Sequence, residues 1–103
     1  MYTVTNRIRV KKGFAKKMAP RFTQPGPLQT FKGFRKVEVL VSTQFEDYDE
    51  MSVVMYWDTL EDFEVWKESD AFKHAHNRPK ESGDSPTIDN LVVIAEVAAT
   101  TEK

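Results

Sequence analysis

Three side chains that can bind a ligand stand where the local sequence pattern favours hydrocarbon. They are Asn6 in an alternating strand, and Trp66 and His76 on two adjacent helical segments. An amide can donate a hydrogen bond, an indole offers a broad and rigid apolar surface, and a neutral imidazole can bind a metal. If the fold brings these groups together, they form a binding site rather than a packed core.

Asn6 belongs to a row of side chains that the first predicted strand turns toward the core. Successive side chains of a strand point to opposite faces, and the rest of this row is Tyr2, Val4, Ile8 and Val10. Burying an amide without a hydrogen-bond partner costs about 1–3 kcal/mol, so Asn6 requires a partner within the protein or on a ligand. A structural asparagine and a ligand-binding asparagine both satisfy the pattern.

The two histidines cannot share one metal ion on a helix, because residues two apart point about 200° away from each other. His76 follows Phe72 by four residues on the apolar face, whereas His74 is flanked by Lys73 and is expected to meet water. His76 is therefore either a hydrogen-bonded core residue or the ligand of a group that needs one protein ligand. Zinc is a poor candidate, since it normally takes three or four protein ligands.

Haem satisfies the requirement for a single protein ligand. The porphyrin supplies four nitrogens, so one histidine suffices on one side of the iron and the other side stays free for dioxygen. The Asn6 amide could then donate a hydrogen bond on the free side, and Trp66 would lie against the macrocycle. The three residues together predict a haem pocket.

The length and charge of the chain exclude several classes of function. With 103 residues, we expect a single domain over 1–103. The formal net charge of -1, from 15 basic and 16 acidic residues, argues against binding to nucleic acid or to an anionic membrane. A basic cluster at Lys11, Lys12, Lys16 and Lys17 is interpreted as a solvated helix face.

The absence of cysteine from the sequence excludes disulfides, thiolate metal ligands and cysteine nucleophiles. It is also typical of a reducing compartment, and any metal must be bound by histidine or carboxylates. No N-terminal segment resembles a signal peptide, and no stretch approaches the roughly 20 apolar residues of a membrane span. We expect a soluble, cytoplasmic protein without a membrane partner.

Hydrophobic periodicity predicts the order strand, helix, two strands, two short helices and strand. The strands are predicted at 2–10, 34–43, 50–57 and 91–97. The polar segment 80–87 is predicted to be a loop that could lie at the mouth of a site.

The predicted helices have recognisable stripes and ends. In the first, Phe14, Met18 and Phe22 recur at four-residue spacing and are expected to face the core, with an interruption at Pro20. The predicted N-terminal caps of the other two are Thr59, with Asp62 three residues later, and Ser69 or Asp70. Pro79 is predicted to end the last helix.

This order of elements matches the split βαβ pattern of ferredoxin-like α+β domains, with one antiparallel sheet. The helices are expected to cover one face of that sheet. Two pairs of residues are taken as signs that the strands are apolar on more than one side: Val37 with Val39, and Val92 with Ile94. We therefore expect two chains to pack sheet against sheet as an obligate homodimer, a dimeric α/β barrel.

Four segments resemble the IsdG-type haem-degrading monooxygenases, within the wider antibiotic-biosynthesis-monooxygenase-like group of dimeric ferredoxin-like proteins. The resemblance covers nearly the whole chain, and the run from Trp66 to His76 is its most specific part. The segments are Thr5-Asn6-Arg7, Phe31-Lys32-Gly33-Phe34, Glu64 to His76, and Ser85-Pro86-Thr87-Ile88-Asp89-Asn90. The fold alone would be weak evidence, since it hosts many activities.

The resemblance implies a role for each unusual residue. His76 would be the proximal ligand of the haem iron, Asn6 the hydrogen-bond donor on the distal side, and Trp66 the residue that presses the porphyrin out of plane. Phe22 resembles a further pocket-lining position, with a core role as the alternative. Haem would be the substrate, opened at a meso carbon to release iron and an open-chain tetrapyrrole. Electrons would come from a separate reductase, and no bound nucleotide or flavin is expected.

Two other functions remain open on the sequence. One is a cofactor-independent monooxygenase of the same fold, in which Asn6, Trp66 and His76 bind a polyphenolic or quinol substrate. The other is a haem-binding protein that stores or senses haem without degrading it.

Overall fold

The computed structural model is built on an antiparallel sheet of four strands. It describes residues 1–76 and 87–103, and for 74–76 it describes the backbone alone. The strands are β1 (Tyr2–Lys11), β2 (Phe34–Ser42), β3 (Tyr48–Trp57) and β4 (Thr87–Glu96). Their order in the sheet is β2-β3-β1-β4, with β4 at one edge beside β1. The predicted ferredoxin-like α+β class is confirmed, and within one chain the sheet is open.

The described helices pack on one face of the sheet. They are α1 (Ala15–Met18), α2 (Leu60–Lys67) and α3 (Asp70–His76), with two 3₁₀ helices at Ala19–Phe22 and Pro27–Thr30. Phe63 and Trp66 of α2 form a buried cluster with Val4 of β1, and Ala15 of α1 forms another with Ile8. The core therefore lies between this face and the helices, and the opposite face carries no described helix.

Local capping bonds fix the start of α2 and α3, as predicted. The hydroxyl of Thr59 accepts a hydrogen bond from the backbone N–H of Asp62 at 3.1 Å. The Ser69 hydroxyl accepts from the N–H of Phe72 at 3.2 Å and donates to the carbonyl of Trp66 at 2.5 Å. Ser69 thereby joins the end of α2 to the start of α3 and holds Trp66 and Phe72 in a fixed relation.

The first helix is shorter and more exposed than its periodicity predicts. Pro20 lacks an amide donor, so the α-helix ends at Met18 and a 3₁₀ helix continues to Phe22. Phe14 is 41% exposed and Phe22 38% exposed, whereas Ala15 is fully buried. The prediction that the whole stripe faces the core is wrong. Phe14 stands at the N-terminal cap, before the first turn of α1, and Phe22 follows the change to 3₁₀ pitch at Ala19.

The turn from β1 into α1 is fastened to β3 by a buried carboxylate. Asp49 is 2% exposed; its Oδ2 accepts from the N–H of Gly13 at 2.9 Å, and its Oδ1 lies 3.3 Å from Nζ of Lys12. Burial by itself would raise the pKa of this carboxyl, but the N–H of Gly13 and the ammonium of Lys12 outweigh it and hold the pKa below its usual value. Gly13 has a φ of +90°, a conformation that side chains with a Cβ rarely adopt.

Strand register corrects the reasoning about the uncovered face. Val4 pairs with Met55 and Ile94, and cross-strand partners share a face. By the same register the four residues taken as signs of a second apolar face all lie on the helix side: Val37, Val39, Val92 and Ile94. The uncovered face instead carries three exposed aliphatic side chains among polar ones: Leu40, Leu91 and Val93.

Two predictions fall on residues outside the described part of the chain. The first is the end of the last helix at Pro79, and the second is the loop at 80–87. Of that loop, Thr87 alone is described, and it begins β4. Within the described ranges, no helix has the length and apolarity needed to cross a lipid bilayer.

Candidate functional site

A cavity of about 510 Å³ lies between the helices and the sheet. Its volume is within the range of sites that bind small organic molecules and cofactors. The sheet contributes mainly aliphatic side chains, from Val4, Val37, Val53, Met55, Val92 and Ile94. The helical side contributes mainly rings, from Phe22, Phe63, Trp66 and Phe72. Such walls suit a flat, largely apolar ligand.

Asn6 lines this cavity from the middle of β1, and among the described residues its amide has one partner. The Nδ2 group of Asn90 on β4 donates a hydrogen bond to Oδ1 of Asn6 at 3.0 Å. The Nδ2 group of Asn6 makes no hydrogen bond to another described residue. The sequence required a partner for this amide within the protein or on a ligand, and the described residues satisfy its carbonyl group but not its NH₂ group.

Trp66 is at once a core residue and a wall of the cavity. It is 8% exposed and belongs to the buried cluster beneath α2. Its ring meets Phe72 edge to face at 4.7 Å between centroids, and it lies 6.0 Å from Trp57 and 6.1 Å from Phe63. Packing on several sides holds the indole rigidly, so it can press on a ligand without yielding.

Phe22 lies at the end of the 3₁₀ helix and also lines the cavity. Of the two roles considered for it, the structure supports lining, since the ring is partly exposed and belongs to neither buried cluster. Three residues that the sequence singled out, on three separate segments, thus line one cavity: Asn6, Trp66 and Phe22.

The side chain of His76 lies outside the described part of the structure. The backbone of α3 includes His76, one helical turn after Phe72, which does line the cavity. Where the imidazole points stays a prediction from the sequence. Among the described residues, no group of three or more histidine, cysteine or acidic side chains is placed to hold a metal ion.

Sequence reasoning missed two polar residues of the cavity, Asn90 and Lys67. Asn90 stands two positions before Val92 in the same row, and the register of β4 against β1 is what shows that this row faces the helices. Lys67 follows Phe63 by four residues, which places it on the edge of the apolar stripe of α2. Among the described lining residues, Lys67 carries the single formal charge.

The cavity combines apolar walls with few polar groups among its described lining residues. An amide donor at Asn6 can bind an oxygen atom of a ligand, and the ammonium of Lys67 can bind an anionic substituent. The described lining residues include no hydroxyl or thiol nucleophile. The arrangement is suited to binding and bending a flat molecule that brings its own reactivity.

Comparison with known protein families gives one model that matches most of the chain. Residues 1–78 match the family described as antibiotic biosynthesis monooxygenase. Two curated relatives cover nearly the full length of both chains. A protein named "Heme oxygenase (staphylobilin-producing)" from Staphylococcus saprophyticus is 54% identical over 94% of this chain and 95% of its own. One of the same name from Staphylococcus haemolyticus is 51% identical over 97% of this chain and 98% of its own.

A solved structure shares the fold at low sequence identity. The heme-degrader MhuD from Mycobacterium tuberculosis, solved with two hemes bound in its active site, superposes with a TM-score of 0.75. The alignment covers 99% of this chain and 100% of that one at 18% identity, so the likeness is one of fold.

Proposed function

This chain belongs to the antibiotic biosynthesis monooxygenase family, and on that premise we propose that it is a haem oxygenase. It binds haem as its substrate, opens the porphyrin ring with dioxygen and a reductant, and releases iron and an open-chain tetrapyrrole. The observation that carries this proposal is the 54% identity, over almost the full length, to a protein named for staphylobilin-producing heme oxygenase activity. That name also makes staphylobilin the product to look for first.

The cavity fits haem in shape and polarity. The macrocycle is flat and apolar, and in this cavity it would meet aliphatic side chains from the sheet and aromatic rings from the helices. In the proposal His76 is the axial ligand of the iron, Asn6 donates a hydrogen bond on the opposite side, and Trp66 presses the ring out of plane. Phe22 closes part of the rim. Haem supplies the oxygen chemistry, and the protein binds, orients and distorts it.

Spectroscopy of the chain with added hemin tests the function. We expect a shifted Soret band characteristic of histidine ligation, with the stoichiometry read from the titration end point. Aerobic addition of ascorbate should then abolish the band, and mass spectrometry should detect an open-chain tetrapyrrole and released iron. No spectral change on adding hemin would favour the cofactor-independent monooxygenase. A Soret band that persists with reductant would identify a haem-binding protein without degradation.

Lys67 provides an anchor for a haem propionate. The two propionates are the ionised groups at the edge of haem, and an apolar cavity disfavours an unpaired carboxylate. Lys67 lies at the C-terminal end of α2, next to Trp66, where it is exposed and makes no ion pair with a described residue. Its ammonium can meet a propionate at the rim and set which edge of the porphyrin faces solvent.

Replacing Lys67 with methionine should weaken binding of hemin by about two- to fivefold, the range for an exposed ion pair. The same substitution should leave the affinity for hemin dimethyl ester unchanged, since the ester has no charge to pair. Absorbance titrations with both compounds measure this. Lys73→Met is the matched control, because Lys73 is exposed on α3 and does not line the cavity. Equal losses for hemin and its ester would contradict the ion pair.

The proposal includes a homodimer in which the uncovered face of the sheet meets a second copy. Leu91 and Val93 of β4 are 58% and 40% exposed on that face, and Leu40 of β2 is 55% exposed. Arg7, which lies opposite Leu91 in the register of β1 and β4, forms an ion pair with Glu50 at 2.7 Å. Leu91 and Val93 form a small apolar patch on the edge strand β4, and Leu40 lies on β2 at the other edge of the same face. Exposed aliphatic side chains at both edges support association with an identical face.

Sedimentation at micromolar concentration should give twice the mass of one chain. Val93→Lys should shift the equilibrium to the monomer, because it places an unpaired ammonium within the apolar patch. Val65→Lys is the control: Val65 is 63% exposed on α2, away from that face, and the variant should remain dimeric. A parent chain that sediments as a monomer would rule out the dimer.

Three further parts of the proposal rest on the sequence. The chain forms one ferredoxin-like domain over 1–103, receives electrons from an external donor or reductase, and works in the cytoplasm. Cell fractionation tests the location, and co-purification of a reductase that replaces ascorbate tests the electron source.

A further inference from the structure

Asn6 and Asn90 are two amides in an otherwise apolar part of the sheet. In the register of β1 and β4, Ile8 pairs with Asn90 and Asn6 pairs with Val92, so the two amides lie diagonally on the same face. Both line the cavity, and Nδ2 of Asn90 donates to Oδ1 of Asn6 at 3.0 Å. This hydrogen bond joins the edge strand β4 to β1, which carries Asn6, the proposed hydrogen-bond donor on the distal side of haem.

A primary amide has two chemically opposite ends. A rotation of its last bond by half a turn exchanges the NH₂ donor for the carbonyl acceptor with little change in shape. An asparagine without a neighbour could present either end to a ligand. In the structure the Asn90 NH₂ group donates to the carbonyl of Asn6, so Asn6 turns its carbonyl to β4 and keeps its NH₂ group for the cavity.

We infer that Asn90 is a positioning residue, which fixes the Asn6 amide with its hydrogen-bond donor toward the distal side of the substrate. The inference rests on the proposed function, in which that donor acts on haem. Asn90 acts on the substrate through Asn6, and its own amide adds a polar group to the cavity lining beside Asn6. Its hydrogen bond thus makes an adaptable side chain into a donor of fixed orientation before the substrate arrives.

Exchange of the Asn90 amide for a carboxylate of nearly the same shape tests the inference. In Asn90→Asp the introduced group can only accept, so the Asn6 amide should turn its NH₂ group toward β4 and its carbonyl toward the cavity. In Asn90→Leu the side chain is of similar size and selects neither orientation. Haem degradation should fall about tenfold in Asn90→Asp, equivalent to one lost hydrogen bond, and less in Asn90→Leu.

The carbonyl stretch of carbon monoxide bound to the reduced haem gives the spectroscopic signature. A donor near the ligand lowers this frequency, and a lone pair raises it. We expect the parent to have the lowest frequency, Asn90→Leu an intermediate or split band, and Asn90→Asp the highest. The double variant Asn6→Ala with Asn90→Asp separates an effect transmitted through Asn6 from the direct effect of the new carboxylate charge. A frequency shift that is transmitted through the Asn6 amide should largely disappear in the double variant.

The outcomes separate this inference from the proposed function. If the parent degrades haem and all Asn90 variants match it in frequency and rate, the positioning role is wrong and the function stands. If the shift in Asn90→Asp is undiminished in the Asn6→Ala background, the positioning role is also wrong. A parent that leaves the hemin spectrum unchanged overturns the proposed function and this inference with it. Circular dichroism confirms that each variant is folded.

Discussion

Replacing Asn6 with alanine is expected to leave hemin affinity within about twofold of the parent and to slow degradation by about ten- to a hundredfold. The estimate of the slowing follows from the contribution of one hydrogen bond to a group that gains charge during the reaction, about 1.5–3 kcal/mol. Affinity should change little, because the apolar walls and the axial ligand provide most of the binding. The measurement is single-turnover loss of the Soret band with ascorbate in excess.

An isosteric exchange separates the donor from the shape of the side chain. In Asn6→Asp a carboxylate oxygen can still accept from Nδ2 of Asn90, so the contact between β1 and β4 is preserved. The variant has no NH₂ group for the cavity, and its degradation rate should be as low as that of Asn6→Ala. An alanine variant that clears the Soret band at the parent rate would falsify the distal assignment.

Much of the frame could be predicted because it follows from short-range patterns. The alternation from Tyr2 to Val10 places Asn6 on the inner face, and the caps at Thr59 and Ser69 act within three residues. These interactions depend on neighbours in the sequence, so the first three strands and the two later helices begin close to where the pattern indicates. The last strand, predicted from Leu91, begins earlier, at Thr87.

The remaining features depend on contacts between distant segments. The hydrogen bond between Asn90 and Asn6 joins residues 84 apart, and it exists only in one register of β4 against β1. Likewise, the face occupied by Val92 follows from that register and cannot be read from the strand alone. The exposure of Phe14 depends on which elements pack against the start of α1, and the spacing of the apolar residues does not specify that.

The site therefore divides into parts with different origins. Asn6 and Trp66 were evident because each breaks a local apolar pattern with a chemically distinct group. Asn90 and Lys67 became evident once the sheet register and the packing of α2 defined the cavity. Their function depends on a three-dimensional neighbour, which a one-dimensional pattern does not specify.

The second large effect is expected at Trp66, where a function and a structural role coincide. Trp66→Ala removes a ring that is 8% exposed, and truncations of buried aromatic residues cost about 3–5 kcal/mol. The free energy of unfolding of a domain of this size is about 5–15 kcal/mol, so the midpoint of denaturant unfolding should fall substantially. The alanine variant alone cannot separate a lost cavity wall from a loosened core.

Trp66→Phe separates them, because it keeps an aromatic ring against Phe72 and shortens the wall that faces the cavity. Bound haem should be flatter, as measured by out-of-plane modes in resonance Raman spectra, and should be degraded more slowly. The physical reason is that a smaller ring no longer reaches the centre of the macrocycle with enough contact to hold it bent.

Trp57→Phe is the matched control for this experiment. Trp57 is fully buried in the same cluster, 6.0 Å from Trp66, but it does not line the cavity. Its exchange removes a similar amount of packing, so it should lower stability while leaving the haem spectrum and the degradation rate of the folded protein unchanged. Haem that is equally flattened in both variants would mean that Trp66 acts through core rigidity, and haem that stays bent in Trp66→Phe would exclude the indole as the distorting group.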